Sequence, residues 1–451
     1  MAVPSPDPRT LAQRRDRHFA GNLRVSYTTP LELVRGWRHT LFDRQGRRHL
    51  DAYNNVPHVG HAHPRVVRAI ATQSALLATN TRYLHDGMSR YAEQLAALLP
   101  PELSVFFFTP SGSEANELAL RLVRAHTGAI DLCVMDHGYH GHTTGTMAIS
   151  PYKFRQRNAP PKPDWVHVTV QPDVYRGRFS GPDAGQHYAA EVAQTIAELG
   201  AEGRQLAGYL CECLPSVGGQ LELPPGFLAA VYAAVRKAGG LCIADDVQTA
   251  LWRTGSAFGF EYQGVVPELL VLGKPLGNGF PLGAVVTTKA VAASFADGPE
   301  FFSTFGGSTV AMAAGLAVLD VLAEEDLASN AVSTGEHLLQ GLRALQLCHP
   351  TIGDVRGRGL FLGVELVLDR ATKAPAKAIA SYVKNRLRER RILIGTDGPF
   401  DNVLKIRPPM TFDRAAADLL LDELDRVLGE DGARVPSLLT VAPSSGHNAP
   451  P

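Results

Sequence analysis

Short apolar runs alternate with segments of helical periodicity through the middle of the chain. Between residues 114 and 125, for example, Leu118, Leu122 and Val123 recur at helical spacing. Strands that alternate with helices in this way predict a mostly parallel sheet covered by helices, which is an α/β fold. The predicted strands are residues 105–108, 131–135, 165–170, 209–214, 241–244, 268–272 and 283–287.

The pattern changes after a long apolar helix predicted at residues 311–323. Helical segments then mix with short strands such as 363–367 and 403–407. We therefore expect a second, smaller α+β domain in this part of the chain. Residues 1–20 are polar and proline-rich, which is typical of a loose arm with one short helix, and residues 436–451 read as a disordered tail.

The charge balance of the chain indicates which classes of binding partner to expect. The chain carries 44 Lys and Arg residues and 44 Asp and Glu residues, so its formal charge is zero. Nucleic acids and anionic membranes usually select a basic excess, and we expect neither as a partner. The first eight residues lack the basic and apolar regions of a signal peptide, and five cysteines are too few for a disulfide framework. A cytoplasmic protein is therefore expected.

A turn of small residues follows the strand at 105–108 and opens a helix. Ser111, Gly112 and Ser113 lie where free backbone N–H groups and the helix dipole attract an anion. This arrangement predicts a phosphate cradle. An ordinary helix cap, in which Ser113 satisfies its own helix, is the alternative.

A second motif combines glycine, an aromatic ring and imidazoles after the next predicted strand. Tyr139 follows that strand, and an aromatic ring beside a phosphate site is suited to stack on a flat cofactor ring. A metal site built from His137, His140 and His142 is the alternative, but the motif offers no suitable acidic or thiolate partner. We therefore predict no metal site here, nor in the histidine-rich stretch 58–63.

Two ionisable residues are further candidates for the site, in addition to the Ser-Gly-Ser turn and the Tyr139 motif. Asp245 ends a buried strand, where a carboxylate is costly unless it faces a cation such as a pyridinium nitrogen. Lys274 lies between glycines after another strand, where burial lowers a lysine pKa and favours a Schiff base. The alternative for Asp245 is a helix cap, and the alternative for Lys274 is a lysine in a solvated loop. Together, the four features meet the requirements of pyridoxal phosphate.

These motifs resemble those of the class III, fold type I pyridoxal-phosphate enzymes. The resemblance covers about residues 25–430, and it implies fold type I, pyridoxal 5'-phosphate as the cofactor and a homodimer with active sites at the interface. The chain would then divide into an arm with part of the small domain at 1–58, a large cofactor-binding domain at 59–308 and a C-terminal small domain at 309–435. The matching segments are 111–116, 139–141, 245–248, 273–279 and 304–307.

The resemblance also assigns roles to single residues. Lys274 would form the covalent bond to the cofactor, and Asp245 would pair with the nitrogen of its ring. The remaining cofactor-binding residues would be Ser111, Gly112 and Ser113 at the phosphate, Tyr139 and Val247 on the two ring faces, Gln248 near the ring hydroxyl, and Thr304 at the phosphate of the neighbouring subunit's cofactor.

Several further segments look like one branch of this family, the phospholyases of ethanolamine phosphate and 5-phosphohydroxylysine. That branch eliminates phosphate from a phosphorylated amine and consumes no keto acid, and ethanolamine phosphate would yield acetaldehyde, ammonia and phosphate. The resemblance thus implies a carbon–oxygen lyase acting on a small phosphorylated amine. An ω-aminotransferase that passes an amino group to a keto acid is the alternative. The segments are 53–64, 80–86, 138–142 with 149–154, and 397–399 with 403–410.

Elimination of phosphate needs cations that hold the dianion. Lys405 and Arg407 share one face of their predicted strand, and Arg82 lies in a segment that resembles the phospholyase branch. We predict that Arg82 and Lys405 clamp the substrate phosphate, with Arg407 as a further candidate. The same cations would bind a substrate carboxylate in an aminotransferase, and surface ion pairs are the other alternative.

Three positions depart from the family pattern beside Asp245. The family usually carries Glu at the position of Asp246, Gly at that of Ala250, and Gly or Ala at that of Trp252. Asp246 is one methylene shorter than Glu, and Trp252 is much bulkier than the usual residue. We expect these changes to reshape the nearby pocket or interface and to affect the choice of amine.

Overall fold

All seven strands predicted for the middle of the chain are present. The computed structural model describes residues 8–434. The strands in this range are β1 Leu33–Trp37, β2 Thr40–Asp43, β3 Arg48–Asp51, β4 Val105–Thr109, β5 Asp131–Met135, β6 Val166–Thr169, β7 Leu206–Glu212, β8 Leu241–Asp245, β9 Leu269–Leu272, β10 Gly283–Thr287, β11 Ile352–Arg358, β12 Phe361–Asp369, β13 Ala374–Pro375, β14 Ile392–Leu393, β15 Gly395–Asp397 and β16 Val403–Ile406.

Helices separate most of the strands of the central region. In residues 8–434 they are α1 Pro8–His18, α2 Pro64–Leu76, α3 Asp86–Ala96, α4 Gly112–Thr127, α5 Thr144–Ala148, α6 Pro151–Phe154, α7 Ala184–Ala201, α8 Phe227–Lys237, α9 Lys289–Ala296, α10 Thr309–Glu324, α11 Leu327–Cys348, α12 Lys377–Glu389 and α13 Arg414–Gly429. None of these helices is long and apolar enough to cross a membrane.

The largest sheet has seven strands in the order β4-β10-β9-β8-β7-β5-β6. Strand β10 is antiparallel to both of its neighbours, and all other pairs are parallel. Every residue of β5, β7, β8, β9 and β10 is buried. Strands buried on both faces are continuous apolar runs rather than alternating ones, which is why the sequence reveals them. The predicted α/β class is confirmed.

The parallel strands bring their carboxyl ends to one edge of this sheet. Strand β7 ends at Glu212 and β8 ends at Asp245, and the register pairs these two residues directly. Strand β9 ends two residues before Lys274. Strand β4 points the same way, because two antiparallel steps through β10 restore its direction, and it ends at Thr109 before the Ser-Gly-Ser turn. Open α/β sheets bind ligands at this edge.

The remaining strands of the described residues form two smaller sheets. One has the order β1-β2-β3-β14 and the other has the order β11-β12-β16-β15, with β13 paired to β12. Strand β14 lies parallel to β3, so strands from both ends of the chain share one sheet. The domain boundaries after residues 58 and 308 stay predictions, and the predicted tail at 436–451 lies outside the described residues.

A buried arginine ties the central region to the C-terminal part of the chain. Arg253 donates from Nη1 to the carbonyls of Leu360, at 3.1 Å, and Pro408, at 2.7 Å. Its Nη2 lies 3.2 Å from Nδ1 of the buried His58, whose Nε2 lies 2.7 Å from the Leu251 carbonyl. Because a guanidinium only donates, His58 accepts at Nδ1 and donates from Nε2. Burial and the Arg253 charge hold the pKa of His58 well below its usual value, in agreement with this neutral tautomer.

We expect Arg253→Met to lower the free energy of unfolding by about 3 kcal/mol, because it leaves two buried carbonyls and His58 Nδ1 without a donor. Urea unfolding of the cofactor-loaded protein measures this change. Arg68→Met is the matched control, since Arg68 is exposed and its side chain makes no hydrogen bond or ion pair within residues 8–434. Equal stability of the two variants would contradict the assigned role of Arg253.

Candidate active site

Asp245 is a buried carboxylate at the centre of the sheet edge, with 4 % of its surface exposed. Its Oδ2 accepts hydrogen bonds from His140 Nδ1 and Asn116 Nδ2, both at 2.8 Å, and its Oδ1 accepts one from the Val247 N–H at 3.2 Å. No Lys or Arg of residues 8–434 forms an ion pair with it. A buried carboxylate that lacks such a partner fits a site that receives a cation from a ligand, such as a pyridinium nitrogen.

His140 and Asn116 hold this carboxylate, and the sequence analysis assigned neither of them that role. Asn116 Nδ2 also donates to the His140 carbonyl at 3.0 Å, and the His140 N–H donates to Ser150 Oγ at 2.9 Å. The metal alternative treated His140 as a ligand, whereas its Nδ1 is engaged by Asp245. One sequence signal was available for Asn116, since it is a polar residue on the buried face of α4.

The other histidines of the two clusters each have a separate environment. His142 is exposed, and His137 Nε2 lies 3.9 Å from Asp136 Oδ2. In the stretch 58–63, His61 Nε2 lies 2.7 Å from Asp51 Oδ2, and His63 Nε2 lies 2.9 Å from Glu325 Oε1. Within residues 8–434, no three His, Cys, Asp or Glu side chains converge in an arrangement that could hold a metal ion.

Two glycines and a valine form a tight cradle beside Asp245. A Cβ atom on Gly112 would lie 3.0 Å from Val247 Cγ2, and one on Gly273 would lie 3.1 Å from Val247 Cγ1. Ser111 caps α4, because its Oγ accepts the Glu114 N–H at 3.1 Å. The alternative in which Ser113 caps the helix is therefore wrong. The Ser113 Oγ instead accepts the His142 N–H at 3.3 Å, which leaves the hydroxyl hydrogen free to bind an anion.

Lys274 opens a short 3₁₀ turn, residues Lys274–Gly277, directly after β9. Burial lowers the pKa of its amine, and repulsion by Arg407 lowers it further, while Asp245 and Glu212 oppose the shift. A lowered pKa favours the neutral amine, which is the form that attacks a carbonyl carbon. The structure thus places Lys274 in an environment that suits a Schiff base rather than in a solvated loop.

Gln248 and Arg407 are joined by a hydrogen bond. Gln248 Oε1 accepts from Arg407 Nη1 and from Asn55 Nδ2, both at 2.7 Å. Arg407 Nη1 also donates to Ser216 Oγ at 2.7 Å, and the Arg407 Nε is buried without a partner in residues 8–434. A buried guanidinium with neutral partners and an unused donor is suited to bind an anion.

Lys405 is also buried, but a carboxylate already engages it. Its Nζ lies 2.6 Å from Asp397 Oδ2 and 5.2 Å from the centroid of the Tyr53 ring. Burial lowers the pKa of Lys405 to about 8, with repulsion by Arg407 as the next cause and Lys274 also contributing. Lys274, Lys405 and Arg407 therefore form a cluster of mutually repelling cations.

Arg82 and Thr304 lie on the surface of the single chain. Arg82 Nη2 is 3.3 Å from both carboxylate oxygens of Glu300, and its guanidinium lies 4.3 Å from the Phe302 ring centroid. The Arg82 side chain is 55 % exposed, and Thr304 is exposed in the same region. No contact between described residues joins Arg82 to Lys405, so the shared clamp stays a prediction.

Glu212 supports the loop that carries Tyr139. Its Oε1 accepts the Tyr139 N–H at 3.4 Å, and its Oε2 accepts the Ser216 N–H at 3.0 Å. Burial raises the pKa of Glu212 to about 7, and the neighbouring Asp245 charge raises it further. The Tyr139 ring meets the Tyr152 ring edge-on, with centroids 5.9 Å apart.

The departures from the family pattern pack inside the protein. Asp246 is fully buried, and its carboxylate accepts the Gly259 N–H at 2.7 Å and the Thr249 hydroxyl. Burial raises the pKa of Asp246 to about 7. Trp252 is half-buried and has a φ of +62° in the loop that leads to Arg253. These residues shape the loop after β8, and the described contacts do not join them to Lys405 or Arg407.

The fold and the site define a pyridoxal-phosphate enzyme of fold type I. The family model of class III aminotransferases matches residues 24–428, and the chain belongs to this family. Its cofactor is pyridoxal 5'-phosphate, and the glycine cradle and the Asp245 carboxylate, which has no ion-paired Lys or Arg within residues 8–434, fit that group.

Relatives carry two kinds of name. A Drosophila melanogaster protein named "Alanine--glyoxylate aminotransferase 2-like" is 47% identical over 416 residues, which cover 90% of this chain and 84% of the relative. A Caenorhabditis elegans protein named "Ethanolamine-phosphate phospho-lyase homolog 1" is 39% identical over 435 residues, 93% of each chain. A solved structure of a phospholyase from Arthrobacter in complex with phosphoethanolamine is 41% identical, with a TM-score of 0.88 over 93% of this chain and 99% of its own.

We expect His140→Ala to weaken the binding of pyridoxal phosphate about tenfold or more, because Asp245 loses a charge-assisted hydrogen bond. Titration of the cofactor into the apoprotein, followed by absorbance, measures the dissociation constant. His142→Ala is the control, since the described structure shows no hydrogen bond from its exposed side chain. Equal cofactor affinity of the two variants would show that His140 does not position Asp245.

Proposed function

We propose that the protein is a cytoplasmic, homodimeric phospholyase that eliminates phosphate from a small phosphorylated amine such as ethanolamine phosphate. The observation that carries this proposal is the cluster formed by the half-buried Lys274 with the buried Lys405 and Arg407. Within residues 8–434, Asp397 is the one carboxylate that forms an ion pair with any of the three. The phosphoethanolamine complex of the Arthrobacter phospholyase supports the substrate class.

The charge of this cluster favours a dianion. Burial lowers the pKa of all three cations, and Lys405 and Lys274 are further shifted by repulsion from Arg407. A substrate phosphate brings two negative charges and several acceptor oxygens, so it offsets more of this repulsion than a carboxylate does.

The chain's own groups would divide the work of elimination. Pyridoxal phosphate, when bound, takes up the electron pair left on the carbon that carries the substrate nitrogen. The Lys274 amine would accept the proton from that carbon, and Arg407 with Lys405 would hold the phosphate whose C–O bond breaks. Inorganic phosphate leaves as the C–O bond breaks, and a double bond forms between the two substrate carbons. Addition of a proton and water to the released unsaturated amine then yields acetaldehyde and ammonia.

An aminotransferase is the second candidate function. The Drosophila relative, at 47% identity, is named for alanine–glyoxylate transfer. In that case Arg407 and Lys405 would bind a substrate carboxylate, and a keto acid would be needed for every turnover. The two functions therefore differ in whether a keto acid is required, which an assay with and without a keto acid can test.

We expect the cofactor-loaded enzyme to release phosphate from phosphoethanolamine with no keto acid present, and Lys405→Met to raise the KM about tenfold or more through loss of one charge-assisted contact. Phosphate release and acetaldehyde formation are measured together. Lys377→Met is the matched control, because Lys377 pairs with Asp401 at 2.7 Å on the surface.

Two results would overturn parts of this proposal. If the parent releases no phosphate and converts amines only when a keto acid is supplied, the protein is an aminotransferase. If phosphate is released but Lys405→Met and Lys377→Met have the same KM, then Lys405 does not hold the substrate phosphate.

An exposed apolar surface supports the proposed homodimer. The surface is formed by two segments of the chain, residues 76–84 and 302–305. Thr309, which follows the second segment, donates from Oγ1 to the Leu77 carbonyl at 2.6 Å and so links the two. Thr304, which is predicted to reach the phosphate of the neighbouring subunit's cofactor, lies in the second of these segments. A surface of this kind is suited to pack against a second copy of the chain. Its exposed large side chains are Leu76, Leu77, Tyr83, Leu84, Phe302 and Phe305.

We expect the parent to sediment as a dimer and Leu84→Glu to shift it towards the monomer, because a buried interface charge is strongly unfavourable. Leu347→Glu is the control, since Leu347 is 87% exposed on α11, away from this surface in the sequence. Sedimentation velocity measures the oligomeric state of the parent and of both variants. A monomeric parent, or an undisturbed dimer in Leu84→Glu, would contradict the proposed interface.

A further inference from the structure

Lys153 is a cation beside the predicted ring-stacking tyrosine. Its Nζ lies 5.3 Å from the centroid of the Tyr139 ring and 5.1 Å from that of the Tyr152 ring. It is half-buried, and its side chain forms no hydrogen bond or ion pair with any residue of 8–434. Two aromatic faces are therefore the contacts of its ammonium group within the described residues.

The backbone around Lys153 is fixed to the Tyr139 loop. The Tyr152 N–H donates to the Gly138 carbonyl at 3.2 Å. One turn earlier, Ser150 Oγ accepts the His140 N–H at 2.9 Å and donates to the Thr146 carbonyl at 2.6 Å. These bonds hold α6, which carries Lys153, against the loop that reaches Asp245.

Tyr152 connects this side of the site to Lys405. Burial raises the pKa of the Tyr152 hydroxyl, and the charge of Asp397 and the nearby Tyr139 and Tyr53 add to the shift. Tyr152 is thus close enough to Asp397 to sense the carboxylate that pairs with Lys405. The Tyr139 and Tyr152 rings contact each other edge-on beneath Lys153, and Lys405 lies over the Tyr53 ring.

Two of the other candidate clamps already pair with a carboxylate. Lys405 pairs with Asp397, and Arg82 pairs with Glu300. A cation–π contact at a partly exposed site is worth only about 0.5–1 kcal/mol, whereas hydrogen bonds between charged groups are worth about 1.5–3 kcal/mol. A phosphate oxygen would therefore draw the Lys153 ammonium away from the rings.

We propose that Lys153, beside Tyr139 and Tyr152, binds the phosphate of the substrate. The ligand class is a primary amine whose phosphate lies within a short carbon spacer of the nitrogen. This inference rests on the proposed function for its substrate, but the anion-binding role of Lys153 can be tested without turnover.

The test uses the cofactor-loaded full chain, in which the cofactor's own phosphate occupies the cradle. Calorimetry measures the dissociation constant of inorganic phosphate, and steady-state assays measure kcat and KM for phosphoethanolamine. We expect Lys153→Met to raise both the dissociation constant and the KM about tenfold, with kcat changed less than about threefold. Lys153→Arg should recover most of the affinity, and Lys289→Met, at an exposed position on α9, should match the parent.

Binding of a phosphate-free amine separates substrate binding from a structural role. Ethanolamine affinity, read from cofactor absorbance, should stay within about twofold in Lys153→Met. Unchanged phosphate affinity in Lys153→Met, or an equal loss for ethanolamine, would overturn the inference. If the parent releases no phosphate, the proposed function fails, while weaker inorganic phosphate binding in Lys153→Met would still support Lys153 as an anion-binding residue.

Discussion

A buried carboxylate without an ion-paired lysine or arginine is the constraint on which the site depends. Asp245 is placed by the parallel pairing of β8 with β7 and β9, and it is held by Asn116 from α4 and His140 from the loop after β5. Burial of such a charge is costly unless a cation meets it. The cofactor of this family supplies that cation, so folding and cofactor binding share one electrostatic requirement.

The cation cluster that we propose for the substrate forms where the seven-stranded sheet meets the sheet that contains β16. Strand β16 and the residue after it carry Lys405 and Arg407 to the edge where Lys274 and Glu212 lie. Arg407 is fixed by Gln248 and Ser216, which belong to the central region of the chain. The cluster of cations there is a property of the assembled fold, because the contributing residues are far apart in sequence.

Sequence reasoning identified the strands and the motif residues, because buried parallel strands are continuous apolar runs and their ends carry the polar groups. It did not identify the partners of those groups. His140 and Asp245 are separated by 105 positions, and no local pattern links them. The same holds for Lys405 with Asp397, whose pairing depends on the β15–β16 register. Ser111 rather than Ser113 caps α4, a difference set by where the helix begins.

The central claim is that the cation cluster is built for a dianionic phosphate. The most direct test compares kcat/KM for phosphoethanolamine without a keto acid with kcat/KM for β-alanine, a small amine with one carboxylate, in the presence of a keto acid. The account predicts a preference for phosphoethanolamine of about 100-fold or more, which corresponds to about 2.8 kcal/mol. A preference for β-alanine would contradict it and would identify the cluster as a carboxylate site.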